Sequence, residues 1–192
     1  MLGLKLPTDP RWVNIAEKSI DEILTDHAWC EQKAASSGIS LLVKFPEREE
    51  LVKEVTPLVA EEWGHFRRVL KEMDKRGLKL GPQRKDEYVN QLRELQKGGK
   101  PGPQLMDMLL VCALIEARSC ERFRLLSLYC SDLNLREFYH EFMVSEAGHY
   151  HMFLELARLY FPVKRVNERW QYFLQGEAEI MQSLELRGDR VH

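Results

Sequence analysis

A glutamate sits near the middle of the apolar face of each of four long predicted helices, and that placement constrains the fold more than any other feature. On the third helix the stripe reads Leu105, Leu109, Cys112, Glu116, Ser119, Phe123, Leu126, with steps that alternate four and three, so these side chains share one face. The second reads Leu51, Val55, Leu58, Glu62, His65, Val69, and the fourth Leu135, Phe142, Glu146, His149, Phe153, Leu156. The first reads Ile20, Leu24, His27, Glu31, Ala34, Gly38. Burying one unpaired carboxylate is costly, and four facing one another repel. Cations among them remove both costs. A buried salt-bridge network is the competing explanation.

The order along the chain is a lone Glu31, then Glu62-x-x-His65, a lone Glu116, then Glu146-x-x-His149. Glu31 to Glu62 and Glu116 to Glu146 are nearly equal intervals, so the chain reads as two similar helical hairpins. Ferritin-like di-iron and di-manganese bundles use this same set of residues, projecting into the core. The predicted fold is therefore all-α: a ferritin-like four-helix bundle with additional helices and a dinuclear site made by Glu31, Glu62, His65, Glu116, Glu146 and His149. Carboxylates and imidazoles suit iron or manganese better than copper or a thiolate-seeking ion. Glu-x-x-His alone is a weak signal, since a third copy, Glu137 to His140, falls on the far side of the fourth helix from Glu146 and reads as solvated surface. His27, one turn before Glu31, either orients that ligand by a hydrogen bond or is an ordinary core histidine. Cys112 and Cys120 flank Glu116, either as the lining of a substrate pocket or as small core fillers.

Local signals place the helices at Pro10 to Ser37, Glu47 to Arg76, Arg84 to Lys97, Gln104 to Cys130, Asp132 to Tyr160 and Lys164 to Arg187, the last packed outside the bundle. Asp9–Pro10 starts the first and Gly38 stops it, Pro57 kinks the second, and Gly98 to Pro103 is a loop. Residues 1–192 are expected to form a single domain. The longest apolar run, Met108 to Ile115, is far short of the about 20 residues a bilayer needs, and Met1 to Asp9 lacks the features of a secretory signal. A cytoplasmic protein with no membrane association follows as the expectation. Cys30, Cys112, Cys120 and Cys130 are scattered, which predicts reduced thiols and argues against a zinc ribbon or a rubredoxin-type centre.

A carboxylate-held iron pair can hydroxylate, store iron, detoxify peroxide or make a radical. A ferritin would lack the second Glu-x-x-His. A rubrerythrin would add a cysteine-ligated iron domain, and a ribonucleotide reductase a tyrosine where this chain has Val69. Four segments go further: DHAWCEQKAASS (Asp26 to Ser37), EEWGHF (Glu61 to Phe66), LIEARSCERF (Leu114 to Phe123) and SEAGHYHMFLELA (Ser145 to Ala157). They resemble, in the same order and over nearly the whole chain, the tRNA hydroxylase family called MiaE. The resemblance implies a non-haem di-iron monooxygenase that hydroxylates the isopentenyl group of 2-methylthio-N6-isopentenyladenosine beside the anticodon of tRNA. It implies two iron ions on the same six residues, O2 as co-substrate, and an external electron donor such as a ferredoxin or flavin reductase. Phe66, Phe123, Phe142 and Phe153 would then keep water out and receive the prenyl group.

The net charge of −2 does not exclude a nucleic-acid partner, because Arg67 to Lys100 holds eleven Lys or Arg against five Asp or Glu. Arg84, Lys85, Lys97 and Lys100, which flank loop regions, are the candidate contacts for the tRNA anticodon loop, with a solvated helix face as the alternative. Two other functions share the six ligands: a di-iron oxidase or oxygenase on a small molecule, and an iron-storage or stress-protection protein. The latter would assemble into a shell, whereas a tRNA hydroxylase is expected to be a monomer or dimer. A purely structural bundle would bind no metal.

Overall fold

The computed structural model describes residues 2–96 and 101–191, and among these no strand occurs. The elements are α1 (Arg11–Ala16), a 3-10 turn (Glu17–Ser19), α2 (Ile20–Lys44), α3 (Glu49–Lys75), α4 (Glu87–Glu94), α5 (Pro101–Tyr129), α6 (Leu133–Tyr160) and α7 (Val163–Ser183). They divide into two compact units, one of Asn14–Lys85 with Arg187–Val191, the other of residues 2–13 with Asp86–Leu186. No helix of the described residues is long and apolar enough to cross a membrane.

The first unit is the hairpin of α2 and α3. Leu24, His27, Glu31 and Gly38 on α2 are buried, as are Leu51, Val55, Leu58, Glu62, His65 and Val69 on α3. Pro57 lies inside α3, and Gly77, at φ +67, ends the chain's run beyond it in the left-handed conformation that glycine adopts without strain. Two boundaries differ from the sequence expectation. The first long helix is interrupted at Glu17–Ser19 by a turn of 3-10 helix. Nor does Gly38 stop α2, which continues to Lys44. A β-carbon at Gly38 would lie 2.6 Å from Val59 Cγ2, so the glycine is there to let α3 approach. Gly38→Ala must push apart a contact with a β-branched side chain that has little rotamer freedom. A loss of about 1–3 kcal/mol is expected in urea unfolding, and an unchanged midpoint would contradict this packing.

Residues 187–191 complete this unit. Asp26, buried, accepts a hydrogen bond from Val191 N at 2.8 Å and lies 3.8 Å from Arg190 Nε. Arg84 pairs with Glu22 and, at 3.1 Å, with Asp189.

The second unit is built on the hairpin of α5 and α6. Asp132 caps α6, its carboxylate accepting from the backbone N–H groups of Asn134 (2.9 Å) and Leu135 (3.2 Å). The helix expected from Gln104 begins at Pro101 instead, since proline is tolerated in a first turn, where its missing N–H costs nothing. Helix α7 packs on α4, α5 and α6. Its Glu177 meets Arg118 of α5, and both are fully buried. Arg118 Nε donates to Glu177 Oε1 at 2.9 Å, and its other nitrogens reach Leu6 O, Thr8 Oγ1 and Glu121. Tyr88 Oη donates to Glu177 Oε1 at 3.3 Å. Burial pushes the Tyr88 hydroxyl well above its usual range, with the Glu177 charge adding to it, so it remains a phenol. One guanidinium thus ties together three helices and the residues before α1.

Candidate metal centre

In the α2–α3 hairpin the seam positions bring Glu31, Glu62 and His65 together. Each offers a ligand atom within 4.8 Å of the others, and all three are buried. His65 Nδ1 lies 3.4 Å from Glu31 Oε2 and 3.6 Å from Glu62 Oε2. His27, with no solvent exposure, places Nε2 2.7 Å from Glu31 Oε1. That contact leaves Oε2 as the oxygen directed at His65.

In the α5–α6 hairpin Glu116, Glu146 and His149 form the equivalent triad, again buried and within the same 4.8 Å limit. His149 Nδ1 lies 3.5 Å from Glu146 Oε2, nearly repeating the His65–Glu62 geometry. Such distances exceed those of a strong charge-assisted hydrogen bond, which are about 2.7–2.9 Å. They are close to what two donors adopt around a shared cation, since ligands bound at about 2.0–2.2 Å lie roughly 3–3.5 Å apart. Each hairpin therefore supplies two carboxylates and one imidazole in an arrangement that suits a hard to borderline cation.

Rings pack close by within each hairpin. Phe123 stacks on Tyr139 (centroids 5.4 Å) and meets Phe142 edge-on at 5.9 Å. Phe66 of the other hairpin lies 5.0 Å from Trp63 and 6.4 Å from Trp29. Cys120 is a core filler: it is buried, donates to Met143 O at 3.3 Å, and burial pushes its thiol up to about 12. Cys112 is only half-buried. Glu137 and His140, the third Glu-x-x-His, are exposed.

Both inward-facing motifs carry a glycine immediately before the histidine, Gly64 and Gly148. Neither has a positive φ, and a β-carbon at either would meet nothing within 4 Å. Helix-interior glycine is worse than alanine by roughly 0.5–1 kcal/mol, and packing does not call for it at these positions. A recess of about 640 Å³ opens beside the first of them, lined by Glu61, Gly64, His65, Arg67, Arg68 and Lys71. The sequence pointed to other cations. Arg84 is half-buried and ion-paired as described, Lys85 is exposed, and Lys97 and Lys100 lie outside the described residues. Sequence reasoning also missed Arg118, Glu121 and Asp26, although all three stand in the segments that make the chain distinctive. Their partners on α7, before α1 and at residues 190–191 were not visible from spacing.

Paired long helices whose buried faces hold carboxylate–histidine triads define an all-α protein of the ferritin-like class. The family described as tRNA-(MS[2]IO[6]A)-hydroxylase (MiaE) matches residues 2–192, and the chain belongs to it. A Pseudomonas putida protein named tRNA 2-(methylsulfanyl)-N(6)-isopentenyladenosine(37) hydroxylase is 37% identical over 180 residues, covering 94% of this chain and 87% of its own. A Salmonella typhimurium protein of the same name is 26% identical over 229 residues, covering 94% and 84%. Among solved structures, a Synechococcus protein described as having aldehyde deformylating oxygenase activity superposes with a TM-score of 0.93 at 33% identity, covering 98% of this chain and 94% of that one.

Proposed function

We propose that the chain is a tRNA hydroxylase that adds one oxygen atom to the isopentenyl group of 2-methylthio-N6-isopentenyladenosine beside the anticodon, as a single ferritin-like domain. The match of the whole chain to the MiaE family carries this reading. The donor chemistry supports its metal. Glu31, Glu62 and His65 with Glu116, Glu146 and His149 would hold two iron ions. When bound, an iron pair supplies the two-electron chemistry that lets O2 oxidise an unactivated C–H bond.

The protein's own part is electrostatic and geometric. Four carboxylates would provide negative charge that favours the oxidised metals, and two imidazoles would complete the set. His27 holds Glu31 in one orientation through the 2.7 Å contact. Phe123 and Phe142 keep the surroundings apolar, which excludes water and accepts a prenyl chain. Each turnover consumes one O2, two electrons and two protons, and yields one hydroxyl group and one water. The electrons come from outside the chain, which places a ferredoxin or flavin reductase beside it as partner in a cytoplasmic reaction on a monomer or dimer.

The test is nucleoside analysis of tRNA from cells with and without the gene. The hydroxylated nucleoside is expected to disappear on deletion and its unhydroxylated precursor to accumulate. Product that persists in the deleted strain would refute the assignment. The likeness to the Synechococcus oxygenase favours a second reading, action on a small aldehyde. Reduced, iron-loaded protein given O2 with either prenylated tRNA or an aliphatic aldehyde separates the two.

A further inference from the structure

We infer that the solvent face of α3 around Gly64 is where the sugar-phosphate backbone of the RNA is held, with Arg67, Arg68 and Lys71 as its cations. This rests on the tRNA reading above and adds the binding surface to it. The recess there includes His65 in its lining, so a strand seated in it lies next to one of the candidate ligand triads. Three cations face one carboxylate, Glu61, whose Oε1 lies 3.7 Å from His65 Nε2. Neighbouring basic residues are paired within the protein: Lys75 and Arg76 with Glu72 at 3.0 and 2.8 Å, and Arg84 with Glu22 and Asp189. Arg67, Arg68 and Lys71 thus lie together on one recess at the start of the stretch from Arg67 to Lys100 over which the sequence spreads its positive charge.

Gly64 gives the second line of argument. The space above it is open, and any side chain would project into the recess. A helix keeps a residue it would otherwise disfavour where something must come close to its backbone. The third is Trp63. It is 49% exposed, lies one turn before Arg67, and is braced by Phe66, whose ring lies 5.0 Å away. An exposed, braced indole beside cations is what a single-stranded segment uses: bases stack on the ring while phosphates meet the charges. The anticodon loop is such a segment.

Fluorescence anisotropy with iron-loaded full-length chain and a labelled anticodon stem-loop carrying the prenylated adenosine tests this. Arg67→Glu/Lys71→Glu should weaken binding at least about tenfold at low salt. It should also flatten the dependence of log K on log salt by roughly 1.4, about 0.7 for each lost phosphate contact on a single strand. Gly64→Leu should weaken binding several-fold and leave the salt slope unchanged, because it blocks the recess without altering charge. Iron per chain and helicity should match wild type. If charge reversal lowers helicity, Arg67→Gln/Lys71→Gln is read in its place. Wild-type affinity and slope in the charge variants would overturn this surface. So would a larger loss from Lys85→Glu than from the Arg67/Lys71 variant. Failure of the wild-type chain to bind the stem-loop at all would instead refute the tRNA reading.

Discussion

Glu146→Ala is expected to lower bound iron from two ions per chain to one or none and to cut tRNA hydroxylation by on the order of 10³-fold, several kcal/mol of lost metal-dependent stabilisation. Glu137→Ala, which removes the same residue type from the exposed third Glu-x-x-His, should change neither. Stability gives a sharper discrimination. Without metal, Glu146 is a buried carboxylate beside a second, Glu116, so the metal-free variant should unfold at the same temperature as metal-free wild type or higher. With iron the order should reverse, because only wild type gains the full binding free energy. A structural salt-bridge network predicts the opposite for the metal-free proteins, with the variant less stable. Two irons and full turnover in Glu146→Ala would end the dinuclear assignment.

Arg118→Met should be the most destabilising substitution away from the metal centre. It strands Glu177, which has no solvent exposure, together with Glu121. Removing one partner of a buried pair costs about 3–5 kcal/mol, or roughly 6–20 °C in melting temperature for a chain of this size. Replacing both partners, Arg118→Met with Glu177→Leu, should recover much of that loss, since two apolar residues leave no charge behind. Burial already holds the Glu177 carboxyl above its usual 4.5. Removing the guanidinium raises it further, so the folded variant prefers the protonated acid. The deficit against wild type should then be smallest near pH 4.5 and widen as pH rises, because ionisation is disfavoured only in the folded state. A deficit independent of pH would show that packing, not charge, is what Arg118 supplies.

Periodicity found the triads because they violate the pattern of the face they share: Glu62, Glu116 and Glu146 stand where leucine is expected. Other features follow no local rule. Gly38 looks like a helix stop, since glycine ends helices, and only the 2.6 Å approach of Val59 reveals its purpose. The break at Glu17–Ser19 leaves no mark in the spacing, because apolar residues continue in phase through it. Local charge counts Lys75, Arg76 and Arg84 as available cations, whereas folding pairs each with a carboxylate. Nothing in the local pattern marks Arg118 as buried, because its partner Glu177 lies on α7, 59 positions along the chain.

The last turns of this chain's itinerary bear on how it assembles. Asn14–Lys85 is finished only by Arg187–Val191, about a hundred residues further on, with the Asp26 carboxylate waiting for a backbone amide made that much later. The hairpin of α5 and α6 also has distant partners, Leu6 and Thr8 at Arg118, but those residues are already made when α5 emerges. The downstream hairpin should thus be first to reach its native form, and the upstream one, although translated earlier, the last to be secured.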